Sequence, residues 1–319
     1  MDLKIVPYSP EYKKIWDSFV KESKNGTFLF YRQYMDYHAD RFTDNSLMFI
    51  NKDKLYCLLP ASLEGEVLSS HPGLTYGGLI MSKYCTAEGI LEVFKLLLSY
   101  LGAKGIEKLL YKPVPHIYHK LPAEEDLYAI FRHNGKLIGR NISSTVSLSR
   151  SLPLKRDRKT ALNRALRSDI QIRESHDYEA FWKILVDNLE NKYGAVPVHT
   201  LNEIKMLSCL FPENIKLWSA FSGEKMLAGL VGYYTDTTVH AQYISATEEG
   251  KKAGCVDLLI TWLKDYNIPK INPEKLWFDL GTSNGNNGLY LNENLIYQKQ
   301  GFGARGIVYD TYEITIYKI

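Results

Sequence analysis

Much that would announce a function is missing from this chain of 319 residues. It holds only 4 cysteines, and Cys57, Cys85, Cys209 and Cys255 form no C-x-x-C pair. That scatter argues against a disulfide framework and against a thiolate zinc site. Its histidines have no metal spacing: His116 and His119 lie beyond Pro115 in an expected loop, without a partner cysteine or carboxylate motif. No metal is expected. There is no G-x-S-x-G and no Cys/His signature, so a covalent acyl-enzyme is not indicated. No apolar run approaches the roughly 20 residues of a membrane helix. The opening stretch Met1-Asp2-Leu3-Lys4-Ile5-Val6 is charged and too short for a signal peptide, so a cytoplasmic protein is expected. The net charge of +3 is too small to argue for nucleic acid by itself.

The remaining composition is that of a globular protein, 45% hydrophobic and 24% charged, and the length allows two domains with full cores. Tyrosine is abundant, with 23 copies, which suits half-exposed strand faces and polar grooves alike. Periodicity and breakers predict a first half of strand, helix, a run of short strands, an amphipathic helix over 86–102, and strands at 105–111, 127–133 and 141–148. The second half repeats that logic. A basic helix over 153–167 leads to helices at 177–191 and 201–210. Strands follow at 215–222, 225–234 and 238–245, then a helix over 253–266 and a strand over 275–280. A short helix falls within 287–300 and a last strand over 307–317. Two α/β (α+β) domains are therefore expected, at 1–150 and 151–304.

The richest stretch lies near the end. Leu276-Trp277-Phe278-Asp279-Leu280 reads as a buried strand that delivers Asp279 into the turn Gly281-Thr282-Ser283. Lys299 and the turn Gly301-Phe302-Gly303 follow. Polar groups emitted from a strand end are where α/β proteins bind ligands. The competing reading makes Asp279 an Asx turn or a cap for the following loop, and Lys299 a solvated lysine on a short helix.

The second half resembles the GNAT acyltransferase superfamily, in which a donor-carrying strand splays from its neighbour and the following helix receives the donor's pyrophosphate. The matching strand is 238–245, the loop 246–253, and the helix begins near Gly254. The loop reads Glu249-Gly250-Lys251-Lys252-Ala253-Gly254, which departs from the usual Arg/Gln-x-x-Gly-x-Gly/Ala. Two such halves resemble the FemAB group, the peptidoglycan-bridge enzymes and their relatives in polysaccharide gene clusters. His71-Pro72-Gly73-Leu74-Thr75-Tyr76-Gly77-Gly78-Leu79, Leu110 to Pro115, the basic helix, and Phe278-Asp279-Leu280-Gly281 with Lys299 to Gly303 carry that resemblance.

The resemblance implies two GNAT-like domains, each a mixed, mostly antiparallel sheet flanked by helices, with the last strand (305–319) returning to the first. It implies an N-acyltransferase that moves an acyl or aminoacyl group onto an amine of a cell-wall or surface-polysaccharide precursor. The acceptor would be a small-molecule or lipid-linked precursor, and the donor acyl-CoA or aminoacyl-tRNA. Lys299, Asp279 and Tyr243 become candidates for catalysis, with Glu293 a further candidate base. Ser245, Gly250, Lys251, Lys252 and Gly254 would hold the donor, and Tyr76, Gly77, Gly78 and Lys112 the acceptor. Between Lys155 and Arg173 seven cations face two acids. Lys155, Arg156, Lys159 and Arg164 could bind tRNA there, or the run could be a solvated helix face. A non-catalytic ligand-binding protein on the same fold and a tRNA-binding protein are the competing expectations.

Overall fold

The computed structural model describes residues 1–70 and 72–317, with no side-chain description for 191–193. His71 lies outside the described residues. Strands and helices follow in the order β1 (Leu3–Pro7), α1 (Lys13–Glu22), α2 (Arg32–Met35), β2 (Leu47–Asn51), β3 (Lys54–Leu59), β4 (Ser62–Glu64), β5 (Val67–Ser69), β6 (Ile80–Met81), α3 (Ala87–Ala103), β7 (Lys108–Tyr111), α4 (Glu125–Arg132) and β8 (Lys136–Ser147). They continue with α5 (Arg156–Leu166), β9 (Gln171–Ser175), α6 (Tyr178–Tyr193), α7 (Leu201–Leu210), β10 (Ile215–Ser222), β11 (Lys225–Tyr234), β12 (Thr238–Ala246), α8 (Glu248–Ala253), α9 (Cys255–Trp262) and α10 (Ile268–Ile271). The chain closes with β13 (Trp277–Thr282), β14 (Asn284–Gly285), β15 (Tyr290–Leu291), α11 (Glu293–Gln300) and β16 (Arg305–Thr315).

Two compact units divide the chain. One comprises Met1–Ile142, Asn284–Tyr290 and Val308–Ile319; the other comprises Ser143–Ser283 and Leu291–Ile307. In the first, β1, β2, β3 and β6 form an antiparallel sheet. Strand β5 pairs antiparallel with β4 and parallel with β7, which pairs antiparallel with β16. Helix α3 shows why the local sequence folds as it does. Thr86 Oγ1 caps its start by accepting from Gly89 N–H at 3.2 Å, and Ile90, Val93, Phe94, Leu97 and Leu101 bury one face at helical spacing. They pack into a core with Phe49, Leu59 and Leu109, where each fully buried large aliphatic or Phe side chain contributes about 1.5–3 kcal/mol.

The second unit carries the order β8–β13–β12–β11–β10–β9. Strand β11 is buried from Met226 to Tyr234, as a central strand must be. Only β12 and β13 run parallel; the other neighbours are antiparallel. Leu230, Val239, Leu259, Phe278 and Phe302 lie in its main core.

Two local expectations are corrected. Of residues 127–133, expected as a strand, 127–132 fall in helix α4 and His133 caps its end: Glu125 and Asp126 occupy its first turn, and Asp126, Ala129 and Ile130 bury at helical spacing. The expected loop 246–253 is largely helix α8. Thr247 Oγ1 accepts from Gly250 N–H at 3.0 Å, and Glu248 and Glu249 fill the first turn.

Candidate active site

The site begins where two strands part. Parallel β12 and β13 pair over three positions only: Thr238 with Trp277, Val239 with Phe278, and His240 with Asp279. Beyond that point β12 stays paired with β11 as far as Ala246. A cavity of about 480 Å³ opens in the wedge. Its walls are Ala241 to Ser245 of β12 except Tyr243, Leu280 of β13, and Leu185, Asn188 and Leu189 of α6. Lys251, Val256 and Ile260 close one side, and Asn292, Leu295, Gln298 and Lys299 the other. The lining is mainly aliphatic, with amides and two lysines at its edges and no carboxylate among the described lining residues.

Lys299 reaches back from α11 to β13. Its Nζ donates to Gly281 O at 3.0 Å and Thr282 O at 2.8 Å. Burial lowers its pKa to about 8, against the opposing pull of the Asp279 charge. Asp279 is fully buried. It accepts from Ser143 Oγ, from Thr145 Oγ1 at 2.9 Å, from Gly281 N–H at 3.2 Å and from His240 Nδ1 at 2.8 Å. The bond from Gly281 is the expected Asx turn, and the same carboxylate also holds the imidazole. His240 carries no signal in the sequence, because it has no metal spacing; its partner is 39 residues away and is set only by the β12–β13 register.

Ser245, Lys251 and Asn188 form a polar corner. Asn188 Nδ2 donates to Ser245 Oγ at 2.9 Å and to Ala246 O at 2.8 Å, while Lys251 Nζ donates to Asn188 Oδ1. Asn188 is equally silent in the sequence, since a lone Asn in an amphipathic helix carries no motif. Gln242 Oε1 is buried with no hydrogen-bond partner among the described residues.

Other candidates lie elsewhere. Tyr243 does not line the cavity. Its hydroxyl accepts from His199 N–H at 3.2 Å and lies 2.6 Å from His199 Nδ1, its ring packs on Trp182, and burial raises its pKa. Lys252 is exposed, and Glu293 sits in the exposed first turn of α11. Gly250 and Gly254 serve packing: a Cβ would lie 2.3 Å from Leu227 O at the first and 2.4 Å from Ala161 O at the second. Tyr76, Gly77, Gly78 and Lys112 belong to the first unit, and none lines the cavity. Tyr76 is buried against Tyr118 and Phe30. Gly77 permits close approach to Ser70 O and Gly78 to the Tyr111 ring. Burial lowers the pKa of Lys112.

The basic helix builds a second surface in the same unit. Lys155, Arg156, Thr160, Arg164 and Tyr297 line an open groove of about 640 Å³. Lys155 Nζ stands 3.9 Å over the Tyr297 ring, and Arg158 pairs with Asp257 at 3.0 Å. Arg156, Lys159 and Arg164 are exposed and make no ion pair among the described residues. Among the described residues no group of three or more His, Cys, Asp or Glu could hold a metal ion, and no helix is long and apolar enough to cross a membrane.

A mixed sheet with a parallel pair splayed at its middle is the mark of the GNAT fold, and the chain has the tandem-GNAT, FemAB-like architecture. Among solved structures it is similar to FemX at 10% identity and a TM-score of 0.66, covering 98% of this chain and 97% of that one. It is similar to L-PGS from Bacillus licheniformis at 12% identity and 0.61, covering 98% and 92%. It is also similar to the C-terminal domain of a putative lysylphosphatidylglycerol synthetase from Agrobacterium fabrum at 9% and 0.55, covering 81% and 80%. No family model matches the sequence, and no curated protein matches it.

Proposed function

We propose that the protein transfers an aminoacyl group from aminoacyl-tRNA to the amine of a cell-wall or surface-polysaccharide precursor. Helix α11 carries this conclusion. It turns Leu295, Gln298 and Lys299 into the cavity and Tyr297 into the basic groove. One donor can thus place its ester in the wedge and its phosphates along α5.

Acyl-CoA fits less well. Its pyrophosphate would need the loop before α9, and that segment is helix α8 with an acidic first turn and a cap supplied by Thr247. An aminoacyl ester brings an amino group, and Gln242 Oε1 is a buried acceptor for its N–H. The cavity holds no carboxylate among the described lining residues, so a neutral aminoacyl side chain suits it better than a lysyl one. The amine attacks the ester carbonyl, and Lys299 or a backbone N–H on β12 would meet the developing oxyanion.

Incubation with a panel of aminoacyl-tRNAs and acyl-CoAs plus amino-sugar and peptidyl amines tests this. Transfer from neutral aminoacyl-tRNAs and not from acyl-CoA is expected. Transfer from acyl-CoA alone would overturn the donor assignment, and inactivity with the whole panel would favour a ligand-binding protein without transfer.

A further inference from the structure

The cavity, the basic groove and the tandem fold leave one arrangement unused. Asp279 and His240 form a buried pair at the apex of the wedge, at the last position where β12 and β13 are still joined. Asp279 Oδ1 receives the two hydroxyls and the Gly281 N–H, and Oδ2 faces His240 Nδ1. A carboxylate so placed accepts, so Nδ1 carries a hydrogen toward Asp279 and Nε2 is the ring atom left to exchange a proton. Nε2 makes no hydrogen bond among the described residues. Gly281, with φ of +80°, has no side chain between this ring and Lys299. The space a Cβ would fill there is bounded by His240 Cε1 at 3.5 Å, Lys299 Nζ at 3.8 Å and Ala241 O at 4.0 Å. An imidazole, an ammonium and a carbonyl thus converge on one small gap beside the cavity.

We propose that His240 is the proton-transfer residue of this site and that Asp279 positions it; this rests on the transferase function argued above. The neutral acceptor amine attacks the ester carbonyl carbon, and a C–N bond forms. The amine proton passes to His240 Nε2. The C–O bond to the ribose breaks, and the imidazolium returns that proton to the leaving oxygen. Asp279 stabilises the transient imidazolium and fixes the tautomer, much as the third group of a triad does. Lys299 on α11 lies across the same gap, and Tyr233 on β11 is the cross-strand neighbour of His240.

Nitrogen-15 NMR of histidine-labelled protein reads the tautomer without any turnover. The Nδ1–H form is expected for His240, and the Nε2–H form would overturn the assignment. His240→Asn keeps a donor toward Asp279 and removes the base. It should bind an aminoacylated RNA minihelix as the parent does, yet lose roughly a hundredfold or more in kcat, with partial rescue by added imidazole. If His240→Asn is unstable, His240→Gln replaces it in the same assay. Asp279→Asn should lower kcat with KM unchanged, as a positioning residue requires. Parental transfer that persists at nearly full rate without His240 removes the base and leaves the transferase standing. A parent protein that transfers from no donor removes the transferase itself, and the base with it.

Discussion

Lys299 is held where its charge is costly, with two backbone carbonyls as its hydrogen-bond partners. Because its pKa is lowered to about 8, it is mostly protonated at neutral pH and loses its charge as pH rises through that value. If the ammonium meets the oxyanion, kcat must fall above about pH 8. Lys299→Arg should carry activity beyond that fall, and Lys299→Met should cost roughly a hundredfold in kcat; a pH–rate profile of the three proteins checks both. Gly281 offers a separate test at the same spot. An alanine there takes on a left-handed strain of roughly 1–2 kcal/mol and fills the gap between His240 and Lys299. Gly281→Ala should therefore unfold at only slightly lower denaturant concentration while losing at least tenfold in transfer, on the scale of a small misplacement of reacting groups. A loss of activity no larger than the loss of stability would mean the gap is not where reactants meet.

At the scale of single elements, the sequence is most legible where periodicity is long. Helices α3 and α7 can be read from apolar spacing, and Thr200 with Glu203 makes a full capping box at the start of α7. It is least legible in short elements with competing signals. Leu127 to His133 has the apolar content of a strand, and only the acids before it and the buried triplet Asp126, Ala129 and Ile130 mark the helix. Helix α8 is hidden because Gly250 and Gly254 resemble loop glycines, although each lies against a neighbouring carbonyl. Gly250→Ala should cost roughly 1–3 kcal/mol through overpacking against Leu227, measurable by urea denaturation. Asp126 of α4 gives a pH test. It accepts from Tyr111 OH at 2.7 Å, and burial raises its pKa to about 7. The folded state then binds more protons than the unfolded one, so its contribution is full below about pH 4 and is lost as pH rises toward 7. Denaturation across that range should show stability falling by a few kcal/mol in the parent (about 1.4 per pKa unit). Asp126→Asn should flatten the slope.

For the whole molecule, the fold class can be read from the two repeated runs of strands and helices, and the segment from Phe278 to Gly303 shows a buried strand that ends in an acid and a glycine with a lysine close behind. The partners of Asp279 cannot. His240, Ser143 and Thr145 come from two other strands, and no local pattern announces a register. The basic helix is visible as charge, but its link to the cavity depends on consecutive residues of α11 facing different ways. Replacing Arg156 and Arg164 together by alanine should weaken tRNA binding and reduce the salt slope of binding by about 2, without changing the preference for an aminoacylated end.

The most direct test compares a non-hydrolysable aminoacylated RNA minihelix with the same RNA lacking its aminoacyl group, titrated over a range of salt against the parent and against Ile244→Trp, which fills the cavity. The aminoacylated RNA should bind the parent at least tenfold more tightly, about 1.4 kcal/mol, and Ile244→Trp should erase that difference while leaving the salt slope intact. Equal affinity for the two RNAs in the parent, or binding indifferent to salt, would show that the parted strands and the basic groove do not hold one donor.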